Sequence, residues 1–208
     1  MKLYLSSYRI PEPESFFELF EDKYPDEINI GVITNAKDFR DDKAEKLQKL
    51  TDDLGKIGLT RLTYIDLLDH LEPKALYGEL VRFDALMACG GQTNDLRWAM
   101  EQVQFGKILS ALLRQGKTYI GESAGACVAG STLKNFEDPD DPTSRPVVED
   151  GLGLVSGAVV VHADDPSYQA RTTELVKSLE ISGVGCISLN NNQAYVVNGS
   201  QSKIVTGE

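Results

Sequence analysis

Short runs of consecutive apolar residues alternate along the chain with longer segments whose apolar positions recur every three or four residues. The runs fall at residues 3–5, 29–33, 62–65, 85–89 and 117–120. Between them, 14–24 carries Phe16, Phe17, Leu19 and Phe20 on a helix-like face, and 41–54 carries Ala44, Leu47, Leu50 and Leu54. Pro73 opens a short helix with Leu76 and Leu80, and the pattern predicts one long helix over 94–114. Strands that read as unbroken apolar runs are buried on both faces, and that is the pattern of a parallel sheet with helices on either side. Right-handed crossovers then gather the strand C-termini, and the loops that leave them, along one edge.

Beyond residue 130 the texture changes. Residues 135–150, NFEDPDDPTSRPVVED, are acidic and proline-rich and predict a loop or flap. A strand over 158–161 runs into His162, and 167–179 reads as a helix. Three short strands follow at 185–189, 194–197 and 202–205, the last two flanking Asn198-Gly199, a hairpin signal. The expected fold is thus α/β, a three-layer sandwich around a mostly parallel sheet, closed by a C-terminal antiparallel hairpin. With 208 residues it reads as a single domain spanning 1–208.

Two glycine-rich strand ends carry the candidate chemistry. Gly121-Glu122-Ser123-Ala124-Gly125 follows a strand and can open a helix of small residues, the setting in which G-x-S-x-G presents a nucleophilic serine. At Cys89-Gly90-Gly91-Gln92-Thr93-Asn94 a backbone without side chains can aim an N–H at a reacting oxygen, so Gly91 and Ala124 are the expected oxyanion donors. The alternative role for this loop is a helix cap at Thr93 or Asn94, which uses different atoms and so is compatible with the first. A serine hydroxyl needs a base, and imidazole is the side chain suited to neutral pH. His162, at a strand end on the same edge, is preferred over His70, whose neighbours Asp69 and Glu72 suggest a surface ion pair. The group that orients His162 is open among Glu137, Asp138, Asp140 and Asp141 in the acidic loop, Asp164 and Asp165 close by, and the amides of Asn190, Asn191 and Asn192.

Charge and cysteine content narrow the setting. Lys and Arg number 21 against 32 Asp and Glu, a net charge of −11, which disfavours nucleic acid and anionic membrane surfaces. Cys89, Cys127 and Cys186 are far apart and, with two histidines, offer no metal-ligand spacing, so no metal or organic cofactor is expected. No apolar run approaches a membrane span and no leader pattern opens the chain, so the expected location is the cytoplasm.

The LYLSS start, GGQTNDL, YIGESAGA, a strand ending in His and a final antiparallel pair together resemble the aspartyl dipeptidase (dipeptidase E) and cyanophycinase family of serine peptidases. The resemblance runs over nearly the whole chain. It implies a flavodoxin-like, class I glutamine amidotransferase-like fold and hydrolysis of small peptides, among them dipeptides with N-terminal Asp. It places the nucleophile on Ser123, the base on His162 and the oxyanion loop on Gly90, Gly91, Gln92 and Thr93. Arg171 falls where an acidic substrate side chain would be met, and the family's orienting Glu falls on Asn191. The expectation is a serine peptidase acting as monomer or homodimer on a small peptide. The alternative is a binding or interaction protein that keeps the pocket without turnover.

Overall fold

A computed structural model describes residues 1–136 and 145–207. The chain order is β1 (Lys2–Ser6), α1 (Pro13–Phe17), β2 (Asn29–Ile33), α2 (Lys43–Lys56), β3 (Arg61–Ile65), α3 (Pro73–Leu80), β4 (Ala85–Ala88), α4 (Thr93–Gln102), α5 (Phe105–Arg114) and β5 (Thr118–Glu122). There follow α6 (Ala124–Cys127), β6 (Ala158–Val160), α7 (Gln169–Ile181), β7 (Cys186–Ser188), β8 (Gln193–Asn198) and β9 (Gln201–Thr206). Seven strands form one sheet in the order β3-β2-β4-β5-β1-β8-β9. The first five are parallel, and β8 and β9 are antiparallel to their neighbours. The expected three-layer α/β sandwich with a C-terminal antiparallel hairpin is what the chain forms.

The central strands β1, β2, β4 and β5 are largely apolar because alternate residues serve opposite cores. Leu3, Leu5, Ile33, Leu86, Ala88 and Tyr119 face one side with the buried residues of α3, α4, α5 and α7. Tyr4, Ile30, Val32, Met87 and Ile120 face the other, against Phe16 of α1 and Leu50 and Leu54 of α2. Each of these central strands therefore loses apolar area from water on both faces, at roughly 25 cal/mol per Å².

Two expectations need correction, and one strand pairing is added. The helix expected over 14–24 is only Pro13–Phe17, continued by a 3₁₀ turn at Glu18–Phe20. Phe16 there packs edge-on against Tyr4 and near Phe20, so a short segment suffices to bury the aromatic cluster. The helix expected over 94–114 is two, α4 and α5, broken at Gln104, whose φ is 55° and ψ 35°. The buried positions Leu96, Ala99, Met100 and Val103 keep helical spacing, but the next, Phe105, comes only two residues later. A continuous helix would turn one of these faces away from the core, and the left-handed residue restores the phase. The strand before His162, β6, pairs with β7 in a separate two-stranded parallel ribbon outside the main sheet.

Candidate functional site

Five strands deliver the site from their C-terminal ends. β5 runs into Ser123, β4 into Gly90 and Gly91, β1 into Ser7, β6 into His162, and β7 into the loop holding Asn191. Ser123 sits between β5 and α6 with φ 51° and ψ −109°, a conformation that costs a residue with a side chain on the order of 1–3 kcal/mol. The sharp turn is possible because the surroundings carry no bulk. A Cβ on Gly125 would lie 2.0 Å from the Ala88 carbonyl oxygen, and one on Gly121 would lie 2.4 Å from the Gly125 carbonyl oxygen. The hydroxyl of Ser123 makes no cap to α6. It points instead to His162, with Oγ 2.9 Å from Nε2.

His162 is held from three sides. Its N–H donates to Ser7 Oγ at 2.8 Å, and its Nδ1 lies 2.6 Å from Asn191 Oδ1, with the Ser7 hydroxyl a more distant neighbour at 3.3 Å. Tyr168 stacks on the imidazole, ring centroids 5.1 Å apart. The Asn191 amide is itself fixed. Its Nδ2 donates to Asp165 Oδ2 at 3.0 Å and its backbone N–H to Asp164 Oδ1 at 2.7 Å. An ionised carboxylate only accepts, so Asp165 turns the amide NH₂ toward itself and Oδ1 toward His162. That leaves the proton on Nδ1 and a lone pair on Nε2, facing the serine. The hydrogen bond from Asn191, followed by that from Ser167 N–H, holds the Asp165 carboxyl below the usual carboxylate range.

Gly91 and Ala124 border the same small cavity as Ser123 and His162. Neither backbone N–H has a hydrogen-bond acceptor among the described residues. Gly91 has φ 149°, and a Cβ there would meet the Ala36 carbonyl oxygen at 2.1 Å, so only glycine fits. Gly90 is tied more firmly than expected: its N–H approaches Glu122 Oε2 at 3.4 Å and its carbonyl accepts from Lys37 Nζ. The cap of α4 is Gln92, whose side chain accepts from Asn94 N–H at 2.7 Å, rather than Thr93 or Asn94. Arg171 reaches the Phe136 carbonyl and lines the small cavity with Thr93 and Leu175. His70 lies away from the site and pairs with Glu79 of α3 at 2.8 Å rather than with the expected Asp69 or Glu72. Asn190 donates its backbone N–H to Gln193 Oε1. Glu137, Asp138, Asp140 and Asp141 lie outside the described residues.

Sequence reasoning missed Ser7 and the pair Glu122–Arg9. Glu122 is 3% exposed and accepts from Arg9 Nη1 at 2.6 Å, while Arg9 Nε also holds Asp53 at 2.8 Å. A carboxylate inside the G-x-S-x-G strand end was a usable signal, since a buried acid demands a cation. Ser7 had none, because its partner is brought by a distant ribbon. No group of three or more His, Cys, Asp or Glu among the described residues is arranged to hold a metal ion. No helix among them is long and apolar enough to cross a membrane.

Comparison with known proteins bears on this geometry. The model of Peptidase family S51 matches residues 27–205. An uncharacterized peptidase of Pasteurella multocida is 25% identical over 169 residues, covering 79% of this chain and 81% of its own. An uncharacterized peptidase of Listeria innocua is 25% identical over 149 residues, 68% of this chain and 66% of its own. Among solved structures, a provisionally assigned peptidase E protein from Listeria monocytogenes superposes with a TM-score of 0.83 at 18% identity, over 100% of this chain and 98% of that one. A peptidase from an acI-B1 Actinobacterium gives 0.70 at 17% identity, over 99% and 87%.

Proposed function

The chain belongs to peptidase family S51, and we propose that it hydrolyses small peptides through an acyl-enzyme on Ser123. The observation that carries this reading is the continuous chain of contacts Ser123–His162–Asn191–Asp165, with spacings of 2.9, 2.6 and 3.0 Å. In the first step His162 Nε2 takes the proton of Ser123 as Oγ attacks the scissile carbonyl. The oxygen that gains charge is met by the N–H groups of Gly91 and Ala124, which have no competing acceptor among the described residues. The imidazolium returns its proton to the leaving amine. Water then enters, is deprotonated by His162, and releases the acyl group.

Asn191 sets the tautomer of His162 but carries no charge of its own. Asp165 supplies one at one remove, polarising the amide so that Oδ1 is a better acceptor as imidazolium forms. The small cavity of about 120 Å³ beside Ser123, bordered by Arg171, Thr93 and Phe136, suits the side chain of the acyl residue. An N-terminal Asp carboxylate near Arg171 is the substrate feature proposed there. A fluorophosphonate probe tests the reading directly. It should label Ser123 in the folded protein and fail to label either Ser123→Ala or denatured chain, with a dipeptide screen then reading turnover. A folded protein that labels no better than denatured chain would refute covalent catalysis and leave the binding-protein alternative.

A further inference from the structure

A second, larger cavity of about 440 Å³ opens on the other side of the nucleophile, sharing Gly91, Ser123 and His162 with the first. Its wall is unlike the rest of the molecule. In a chain of net charge −11, Arg9, Lys37, Arg40, Lys46 and Lys49 all border it. The two carboxylates on the same wall are already engaged, Glu122 by Arg9 and Gly90 N–H, and Asp165 by Asn191.

The cations come from the loop after β1, the turn and loop after β2, and α2. Arg9 and Lys37 form the inner part and are fixed, Arg9 between Glu122 and Asp53, Lys37 on the Gly90 carbonyl. Arg40, Lys46 and Lys49 form the outer part and are exposed. Arg40 and Lys46 each reach Asp42, at 3.0 and 3.8 Å, and Lys49 has no ion pair among the described residues. Lys46 and Lys49 stand three residues apart on α2, on one side of the helix. Among the described residues that line the cavity, five cations stand against two carboxylates, while the whole chain has 21 against 32.

We propose that this cavity receives the leaving portion of the substrate and selects peptides in which that portion carries more than one carboxylate, its own terminus and an acidic side chain. The proposal rests on the peptidase reading in one respect, the assignment of the smaller cavity to the acyl residue. The scissile bond lies over Ser123, so whatever follows it has only the larger opening to enter. A molecule of net charge −11 repels an acidic peptide at a distance, and a local cationic wall reverses the sign where the bond must be placed. Exposed cations on a helix are screened by salt, so the preference is predicted to be strongest at low ionic strength.

The test uses Ser123→Ala, which binds without turnover, titrated calorimetrically with the tripeptides Ala-Glu-Glu, Ala-Ala-Ala and Ala-Lys-Lys, and with inorganic phosphate. Ala-Glu-Glu should bind on the order of tenfold tighter than Ala-Lys-Lys, with the difference shrinking at high salt. Adding Lys46→Glu and Lys49→Glu should remove or reverse that order. Reversing Lys107 and Arg114 on α5, the same change in net charge at a distance, should leave the order in place. Equal binding of the three peptides, an order that survives the Lys46 and Lys49 reversals, or phosphate binding as tightly as Ala-Glu-Glu would each overturn the proposal. The outcome is separable from the peptidase reading. Failure of the fluorophosphonate to label native Ser123 refutes catalysis, whereas labelling of the native protein together with no peptide selectivity in Ser123→Ala refutes only the subsite.

Discussion

At the scale of single residues, the site depends on an amide whose two ends are not interchangeable. Asn191 must present oxygen to His162 and nitrogen to Asp165. Asn191→Ala should lower kcat/KM on the order of 10²-fold or more, the usual contribution of a positioned acid–base group. Asp165→Ala should lower it about tenfold, because the amide loses its orienting partner. Asn191→Asp would set a second negative charge beside Asp165. Asn191→Asp alone should therefore be poor, and adding Asp165→Asn should rescue it; a double variant no better than the single would sink the relay. Ser123 offers a second prediction. Its φ of 51° strains any residue with a Cβ. Ser123→Gly should therefore be at least as stable as Ser123→Ala, by up to about 1 kcal/mol, in urea unfolding. Ser123→Gly clearly less stable than Ser123→Ala would show that the elbow stores no strain.

At the scale of elements, the nucleophile's position is set by how closely α6 approaches the sheet. α6 has only four residues, Ala124–Cys127, all small and buried, so its hold comes from backbone proximity rather than side-chain packing. Gly125 is where the approach is tightest. Gly125→Ala places a methyl 2.0 Å from the Ala88 carbonyl oxygen of β4. Stability should fall by about 1–3 kcal/mol, a loss of several degrees in Tm. Fluorophosphonate labelling should slow with it, because β4 also leads into Gly91. Gly78 in α3 is the contrast, with nothing within 4 Å of an added Cβ. Gly78→Ala should raise stability by about 0.5–1 kcal/mol without touching labelling. A Gly125→Ala protein as stable as the parent would mean that the strand and α6 separate more easily than their contact implies.

For the whole molecule, burial on both faces of the sheet has a consequence for pH. Burial pushes the thiols of Cys89 and Cys127 up to about 12 each. Unfolded thiols titrate near about 8.5. A raised folded pKa gives stability that is complete below the unfolded value and lost as pH rises toward the folded one. Between about pH 8.5 and 12 each thiol should therefore remove about 1.4 kcal/mol per pH unit. Tyr4 and Tyr119, whose hydroxyls are also pushed up by burial, add to the loss above about pH 10. Urea midpoints measured at pH 7, 8.5 and 10 should stay level and then drop. Cys89→Ala should flatten the alkaline limb even where it lowers the neutral plateau. No decline between pH 8.5 and 10 would mean that the thiols ionise in the folded state.

What could be read in the sequence was whatever depends on neighbours along the chain. Unbroken apolar runs marked the strands because a doubly covered sheet has no polar face, and Asn198-Gly199 marked the turn between β8 and β9. G-x-S-x-G marked Ser123 because the glycines solve a local crowding problem. His162 was legible because few other bases exist in the chain. The partners of His162 were legible only as a set of alternatives that held Asn191 and Asp165, and Ser7 was not among them. Ser7, Asn191 and Asp165 are brought together by β1, by the loop after β7 and by the turn after β6. The pairing of β6 with β7, apart from the main sheet, brings His162 beside the loop that holds Asn191. The cationic wall was hidden for the same reason. Arg9, Lys37 and Lys49 are scattered among more numerous acids, and a net charge of −11 averages away a local excess. Charge adds along a sequence regardless of position, whereas the field at a site depends on distance, and distance is decided by the tertiary structure.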